Sequence, residues 1–171
     1  MTATDVLLDG FSRVRGVVEN VLKGAGEATL THRIDPEANT IAWLVWHIAR
    51  GQDAQIAPLA GGDEVWTRDG FADRFALPFP HSASGYGQTS EEVGAVDVSA
   101  DLLGDYYDAS HEATLAFLRT LDDADLERVV DTAWVPPVTL GVRLMSILDD
   151  NLQHAGQAAY VRGVTARLGL R

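Results

Sequence analysis

Two side chains that can bind a metal ion stand four residues apart in the C-terminal part of the chain. They are Asp150 and His154, within residues 146–157. Residues with this spacing lie on one face of an α-helix, with Cβ atoms about 5–6 Å apart. A carboxylate and an imidazole so placed can hold one divalent metal ion, and they can equally form a simple ion pair.

A third candidate ligand, His47, lies far away in the sequence but in a similar setting. It is in helical register with Trp43 and Gly51, on the face predicted to point inward. Asp150 and His154 likewise interrupt an apolar stripe. Three ligands would leave a coordination position open, which is the catalytic pattern. Two histidines and a carboxylate suit zinc, iron, nickel, cobalt or manganese, so these residues do not identify the metal. The alternative is a hydrogen-bonded core histidine.

The other histidines and one glutamine are weaker candidates. We expect His32 and His81 to lie in loops exposed to solvent, and His111 to lie at the surface near the polar side of a helix. Gln157 follows His154 by three residues, so it could orient that ligand from behind or face solvent.

The elements that must position these residues are helices. Apolar residues at spacings of three and four predict helices over residues 4–23, 36–59, 99–121 and 139–168. Asp35 before Pro36 is a candidate cap for the second helix, and Ser99 and Thr139 for the third and fourth. A short helix is expected within residues 122–130. No set of strands is evident, so we expect an all-α four-helix bundle forming one domain over residues 1–171.

The connection over residues 60–98 is unusually long for a compact domain. It carries several aromatic residues, among them Trp66, Phe71, Phe75 and Tyr86, so we do not expect a disordered linker. A crossover of this length would let the second and third helices run parallel. Its aromatics are either an extension of the core or the lid of a pocket, and the two interpretations are equally favoured.

The composition excludes several classes of partner. With 13 basic and 25 acidic residues the net charge is −12, which disfavours nucleic acid and anionic membranes as partners. Without cysteine the chain has no disulfide and no cysteine nucleophile. No apolar run reaches the roughly 18 residues of a membrane helix, and no signal segment is recognised. We therefore expect a cytoplasmic protein.

Two segments resemble a known family. Residues 35–50, DPEANTIAWLVWHIAR, and 149–157, DDNLQHAGQ, resemble the signature segments of the DinB/YfiT-like superfamily, and more narrowly its mycothiol S-transferase branch. The resemblance spans the whole length. It implies an up-down-down-up bundle with metal ligands His47, Asp150 and His154. Asp150 stands where the superfamily commonly has a histidine, which makes the site more anionic and less Lewis acidic.

The resemblance also implies an activity. A small thiol, mycothiol, would be activated as a metal-bound thiolate and would attack electrophiles to give thioethers, a detoxification reaction. Zinc is the expected metal, and no catalytic residue beyond the ligands is implied. Arg50, Asp53 and Arg162 are loose candidates for contacts to sugar hydroxyls. Alternatives are a thiol-dependent isomerase of the maleylpyruvate type, a hydrolase using metal-activated water, and a non-catalytic metal-binding, stress-associated protein. Such bundles often form homodimers.

Overall fold

The computed structural model describes residues 1–170, and four long helices make up most of this range. The helices within it are α1 Ala3–Leu22, α2 Glu27–Leu30, α3 Ile41–Ala60, α4 Val65–Arg68, α5 Phe71–Phe75, α6 Ser90–Gly94, α7 Ala100–Leu118 and α8 Leu140–Arg167. None of these helices is long and apolar enough to cross a membrane. The predicted all-α class is therefore confirmed.

The four long helices pack in a ring, in which α1 and α3 each contact both α7 and α8. Helices α3 and α8 run antiparallel. Trp43 near the start of α3 meets the ring of His154 edge-on, whereas Gln55 near its end hydrogen-bonds Arg143 near the start of α8. This pairing brings the middle of α3 to the middle of α8, where the candidate ligands lie.

Helices α3 and α7 run parallel, as expected from the long crossover. Ser110 of α7 donates to the carbonyl of Ala49, and one turn later Gln52 donates to Thr114. Asn151 of α8 donates to the same Gln52 at 2.7 Å, so a buried chain of hydrogen bonds links three helices. Such a network sets the register of α3 against α7 and α8, because an unpaired buried amide is destabilising.

Helix α1 runs parallel to α8 and completes the up-down-down-up arrangement. Gly10 lies against the side chain of Leu148, and Arg162 donates to the carbonyl of Lys23 at 3.1 Å. Apolar side chains of all four helices meet inside the ring, with Phe11 and Leu44 fully buried.

The predicted start of the second helix was wrong. Helix α3 begins at Ile41, with Thr40 as N-cap accepting a hydrogen bond from the amide of Trp43 at 3.1 Å. Asp35 instead accepts from the amide of Glu37, which makes a local turn. Asp35 and Thr40 are both suitable caps. The helix starts at Thr40 because this start buries Ile41 and Trp43 against the rest of the bundle.

The short helix predicted within residues 122–130 was also mostly wrong. Only Asp125–Glu127 form a 3₁₀ turn, and the strand β1, Val129–Asp131, follows it. It pairs antiparallel with β2, Val138–Thr139, which leads directly into α8. Thr139 caps α8 and Ser99 caps α7, as expected.

The first half of the long crossover belongs to the core. The rings of Trp66 and Phe71 both lie 5.0 Å from the ring of Tyr106 on α7, and all three are buried. Asp53 of α3 accepts hydrogen bonds from the amides of Val65 and Trp66 and from the Tyr106 hydroxyl. The aromatic residues there extend the core, whereas Tyr86 in the second half is 95% exposed.

Candidate metal centre

The three candidate ligands meet between α3 and α8. Nε2 of His47 lies 3.8 Å from one carboxylate oxygen of Asp150, and Nε2 of His154 lies 3.5 Å from the other. One ligand atom from each residue falls within 4.8 Å of the others. The histidine side chains are only 12% and 18% exposed, whereas that of Asp150 is 46% exposed. The cluster therefore opens to solvent on the Asp150 side.

Each imidazole is held from behind through its second nitrogen. Nδ1 of His47 faces the carbonyl oxygen of Ser84 in the crossover, and Nδ1 of His154 lies 3.1 Å from Oε1 of Gln157. With an oxygen acceptor behind each ring, the proton resides on Nδ1 and the lone pair of Nε2 points at the cluster. Histidines that bind metals are oriented in this way. The suggested role of Gln157 behind His154 agrees with this contact.

The surroundings of the three groups shift their pKa values in different directions. Burial lowers the pKa of His47 below its usual value, so that its ring is neutral at pH 7. The hydrogen bond between Asp150 and His154 lowers the pKa of the carboxyl and raises that of the imidazole. Without a metal ion, Asp150 is therefore harder to protonate and His154 easier to protonate than the free side chains.

The second half of the crossover forms one wall of the site. The indole of Trp43 stacks on His47, with ring centroids 4.6 Å apart, and its Nε1 donates to Gln88 at 2.7 Å. Gly85 lies so close that an added Cβ would be 2.5 Å from Nδ1 of His47 and 3.0 Å from Cζ2 of Trp43. Its φ of +101° is also one that other residues rarely adopt. The crossover was predicted to extend the core or to cover a pocket, but not to support His47 through its backbone, although the Gly85-Tyr86-Gly87 pattern was a visible signal.

A fully buried arginine fixes the crossover over His47. Nε of Arg50 donates to the carbonyl of Ala83 at 3.1 Å, next to Ser84 in the chain. Its Nη1 pairs with Glu64 at 2.9 Å and lies 3.7 Å from Asp53. Arg50 is one turn after His47 on α3, so the same helix carries the ligand and the residue that holds the ligand's acceptor.

The structure changes the interpretation of four residues outside the triad. Arg50 and Asp53 are buried and bind the crossover, so they are not available to sugar hydroxyls, and Arg162 donates to a backbone carbonyl. His111 is 1% exposed, not at the surface as predicted, and its ring stacks on Tyr107. The prediction failed because α7 packs against both α1 and α3, which buries a wider face than its apolar stripe.

The donor set fits a divalent metal ion. Zinc lies about 2.0–2.2 Å from nitrogen and oxygen ligands, so the ligand atoms of a tetrahedral site are separated by roughly 3.5 Å. The nitrogen–oxygen separations of 3.5 and 3.8 Å run to different oxygens of Asp150. One ligand atom from each residue lies within 4.8 Å of the others, so the atoms need to move together by only about 1 Å to hold the ion. Two Nε2 lone pairs and one carboxylate converge, each imidazole has its supporting acceptor, and the Asp150 side is open to a further ligand.

Comparison with known proteins assigns the chain to a family. The family model described as mycothiol-S-transferase matches residues 6–166. The chain belongs to the mycothiol S-transferase family. The match includes His47, Asp150 and His154, and it confirms the resemblance to the DinB/YfiT-like superfamily.

A solved structure supports the fold of this mycothiol S-transferase family member. It is described as the conserved protein of a locus from Enterococcus faecalis, and it superposes with a TM-score of 0.88 at 34% sequence identity. The match covers 95% of this chain and 96% of the other. No curated protein matches the chain.

Proposed function

We propose that this protein is a metal-dependent thiol S-transferase that uses mycothiol, with His47, Asp150 and His154 as the metal ligands. The observation that carries the proposal is the convergence of two supported imidazoles and a carboxylate on one partly open point in a chain of this family. When bound, a divalent ion such as zinc would favour the thiolate form of a thiol ligand.

The residues of the chain have three roles in this proposal. The triad holds the ion and leaves the Asp150 side free for the thiol. Ser84 and Gln157 keep the two imidazoles in the tautomer that can bind the ion, and Trp43 and the Ser84–Gly85 backbone exclude water from the His47 side. Because the chain has no cysteine, the nucleophilic sulfur belongs to the co-substrate.

Metal binding is tested by measuring the metal content of purified protein after loading with zinc, nickel, iron, cobalt or manganese. We expect about one ion per chain in wild type and none in His47→Ala, Asp150→Ala or His154→Ala. His81→Ala, which changes an exposed histidine of the crossover, is the control and retains the ion. Wild-type protein without bound metal after loading would refute the site.

The reaction is tested by offering the loaded protein mycothiol with an electrophile such as monochlorobimane. We expect a thioether product whose formation is lost on chelation and restored when metal is returned. Absence of turnover with mycothiol, bacillithiol and glutathione would favour a non-catalytic metal-binding protein. Isomerisation of maleylpyruvate in place of conjugation would instead identify the thiol-dependent isomerase.

A further inference from the structure

An apolar cleft lies along α8 just beyond His154, although none of the three candidate ligands lines it. It has a volume of about 390 Å³ and lies between α8, the start of α3 and the segment preceding α3. Its apolar walls are Ile34, Ala38, Leu44, Tyr160 and Val161. Ligand sites of small molecules begin at roughly 300 Å³, so the cleft can take one short hydrocarbon arm.

Among residues 1–170, no charged side chain lines this cleft. Within the same range, the polar side chains that line it are those of Asn39, Gln157 and Tyr160. By contrast, the groove between α1 and α7 is lined by Glu19, Asp101 and other acidic residues. A charged ligand would lose hydration in the cleft without gaining an opposite charge, so an uncharged ligand is favoured.

Gln157 connects the cleft to the metal centre. It lines the cleft, and its Oε1 is engaged with Nδ1 of His154. Because the carbonyl of this amide faces the histidine, its NH₂ group points elsewhere and makes no hydrogen bond to residues 1–170. The amide therefore offers a donor at the boundary between the cleft and the metal centre.

The distances match a ligand that spans both places. His154 and Val161 are seven residues apart on α8, which corresponds to about 10 Å along the helix. A fully extended chain of about eight to nine carbons has this length. A ligand whose reactive carbon lies beside His154 can therefore place its hydrocarbon arm against Leu44 and Val161, with an acceptor atom near Gln157.

We infer that the cleft binds the electrophile, and that the electrophile is an uncharged α,β-unsaturated ketone or aldehyde with a hydrocarbon arm. This inference rests on the proposed function. The sulfur of the thiolate forms a bond to the β-carbon, the π pair of the C=C bond moves toward the carbonyl, and the α-carbon takes a proton from solvent. That proton replaces the one that the thiol released, so the product is a saturated thioether and no group leaves. Gln157 donates to the carbonyl oxygen.

Binding is tested with saturated 2-alkanones from pentanone to octanone, which carry the carbonyl and the arm but cannot react. They are titrated into the full chain without thiol, with and without zinc, and followed by NMR. We expect the Kd in wild type to fall by about three- to fourfold for each added methylene. A Kd that does not depend on chain length would overturn the inference.

Three variants separate the two parts of the site. Ile34→Asp places a charge on the cleft wall at a residue that is 44% exposed, and it should abolish the dependence on chain length. Gln157→Leu should weaken every ketone by about two- to tenfold while keeping that dependence. Leu152→Asp, equally exposed on α8 but outside the cleft, is the control and should bind like wild type. Equal effects of Ile34→Asp and Leu152→Asp would overturn the assignment.

This experiment is independent of turnover. A protein that binds octanone through Ile34 and Gln157 but never conjugates a thiol would refute the proposed function and leave the cleft as a ligand site. A protein that conjugates a thiol but shows no dependence on chain length would keep the function and lose the cleft.

Discussion

Replacing Gly85 by alanine tests whether the crossover positions His47 for metal binding. The added Cβ would lie 2.5 Å from Nδ1 of His47, whereas non-bonded atoms approach to about 3.5 Å. The ring or the loop must therefore move by roughly 1 Å. His47 would lose its alignment with Asp150 and its hydrogen bond to Ser84.

The expected loss of metal affinity follows from this displacement. Removing the support behind a metal-bound histidine weakens metal binding about 10- to 100-fold, and we expect Gly85→Ala to fall in that range. Backbone strain at a positive φ adds a separate loss of stability of about 1–3 kcal/mol. The affinity is measured by competition with a zinc chelator, and the stability by urea unfolding of metal-free protein.

Gly87→Ala is the matched control. Gly87 lies in the same loop and also has a positive φ, +72°, but an added Cβ there meets none of residues 1–170 within 4 Å. It should lose stability through strain yet bind zinc like wild type. If Gly85→Ala and Gly87→Ala bind zinc equally well, the crossover does not position His47 and the reasoning is refuted.

Two further predictions concern buried polar groups outside the triad. Asp53→Ala removes the acceptor of three hydrogen bonds and leaves Arg50 less compensated, so we expect a loss of about 3–5 kcal/mol in urea unfolding. Asp9→Ala, which removes the exposed ion pair with Arg13, should lower the stability much less. Similar losses in the two variants would contradict the role of Asp53 in holding the crossover. Burial lowers the pKa of His111, so the unfolded chain takes up a proton below about pH 6.5 before the folded one does. Stability therefore falls as pH drops from 7.5 to 5.5, by at most about 1.4 kcal/mol per pH unit from this group. His111→Phe should show a shallower fall in the free energy of unfolding, measured by urea unfolding at several pH values with chelator present. An unchanged slope would show that His111 does not contribute.

Most of the helical framework could be predicted because apolar spacing reports it directly. The predicted helices over residues 4–23, 99–121 and 139–168 agree with α1, α7 and α8 to within a few residues. Capping was less predictable. Asp35 and Thr40 are both good N-caps, and only the packing of the residues after Thr40 against the rest of the bundle decides between them.

The three candidate ligands could also be found in the sequence, because each interrupts an apolar stripe on its own helix. The segments that contain them resemble a known family, and this resemblance implied the reaction. The face of a helix is a local property, so it can be read without knowing the partner helices. His111 shows the limit of this reasoning, because its burial depends on how many neighbours α7 has.

The sequence by itself thus determined most of the helices, the inward direction of His47 and His154 with Asp150 beside them, and the absence of a thiol in the chain. The tertiary structure alone decided that the backbone of Ser84 and Gly85 closes over His47. It also decided that Arg50 and Asp53 hold the crossover in place instead of meeting a substrate. A backbone carbonyl has no side-chain signature, and a buried ion pair looks like two surface charges until the segment that covers it is placed.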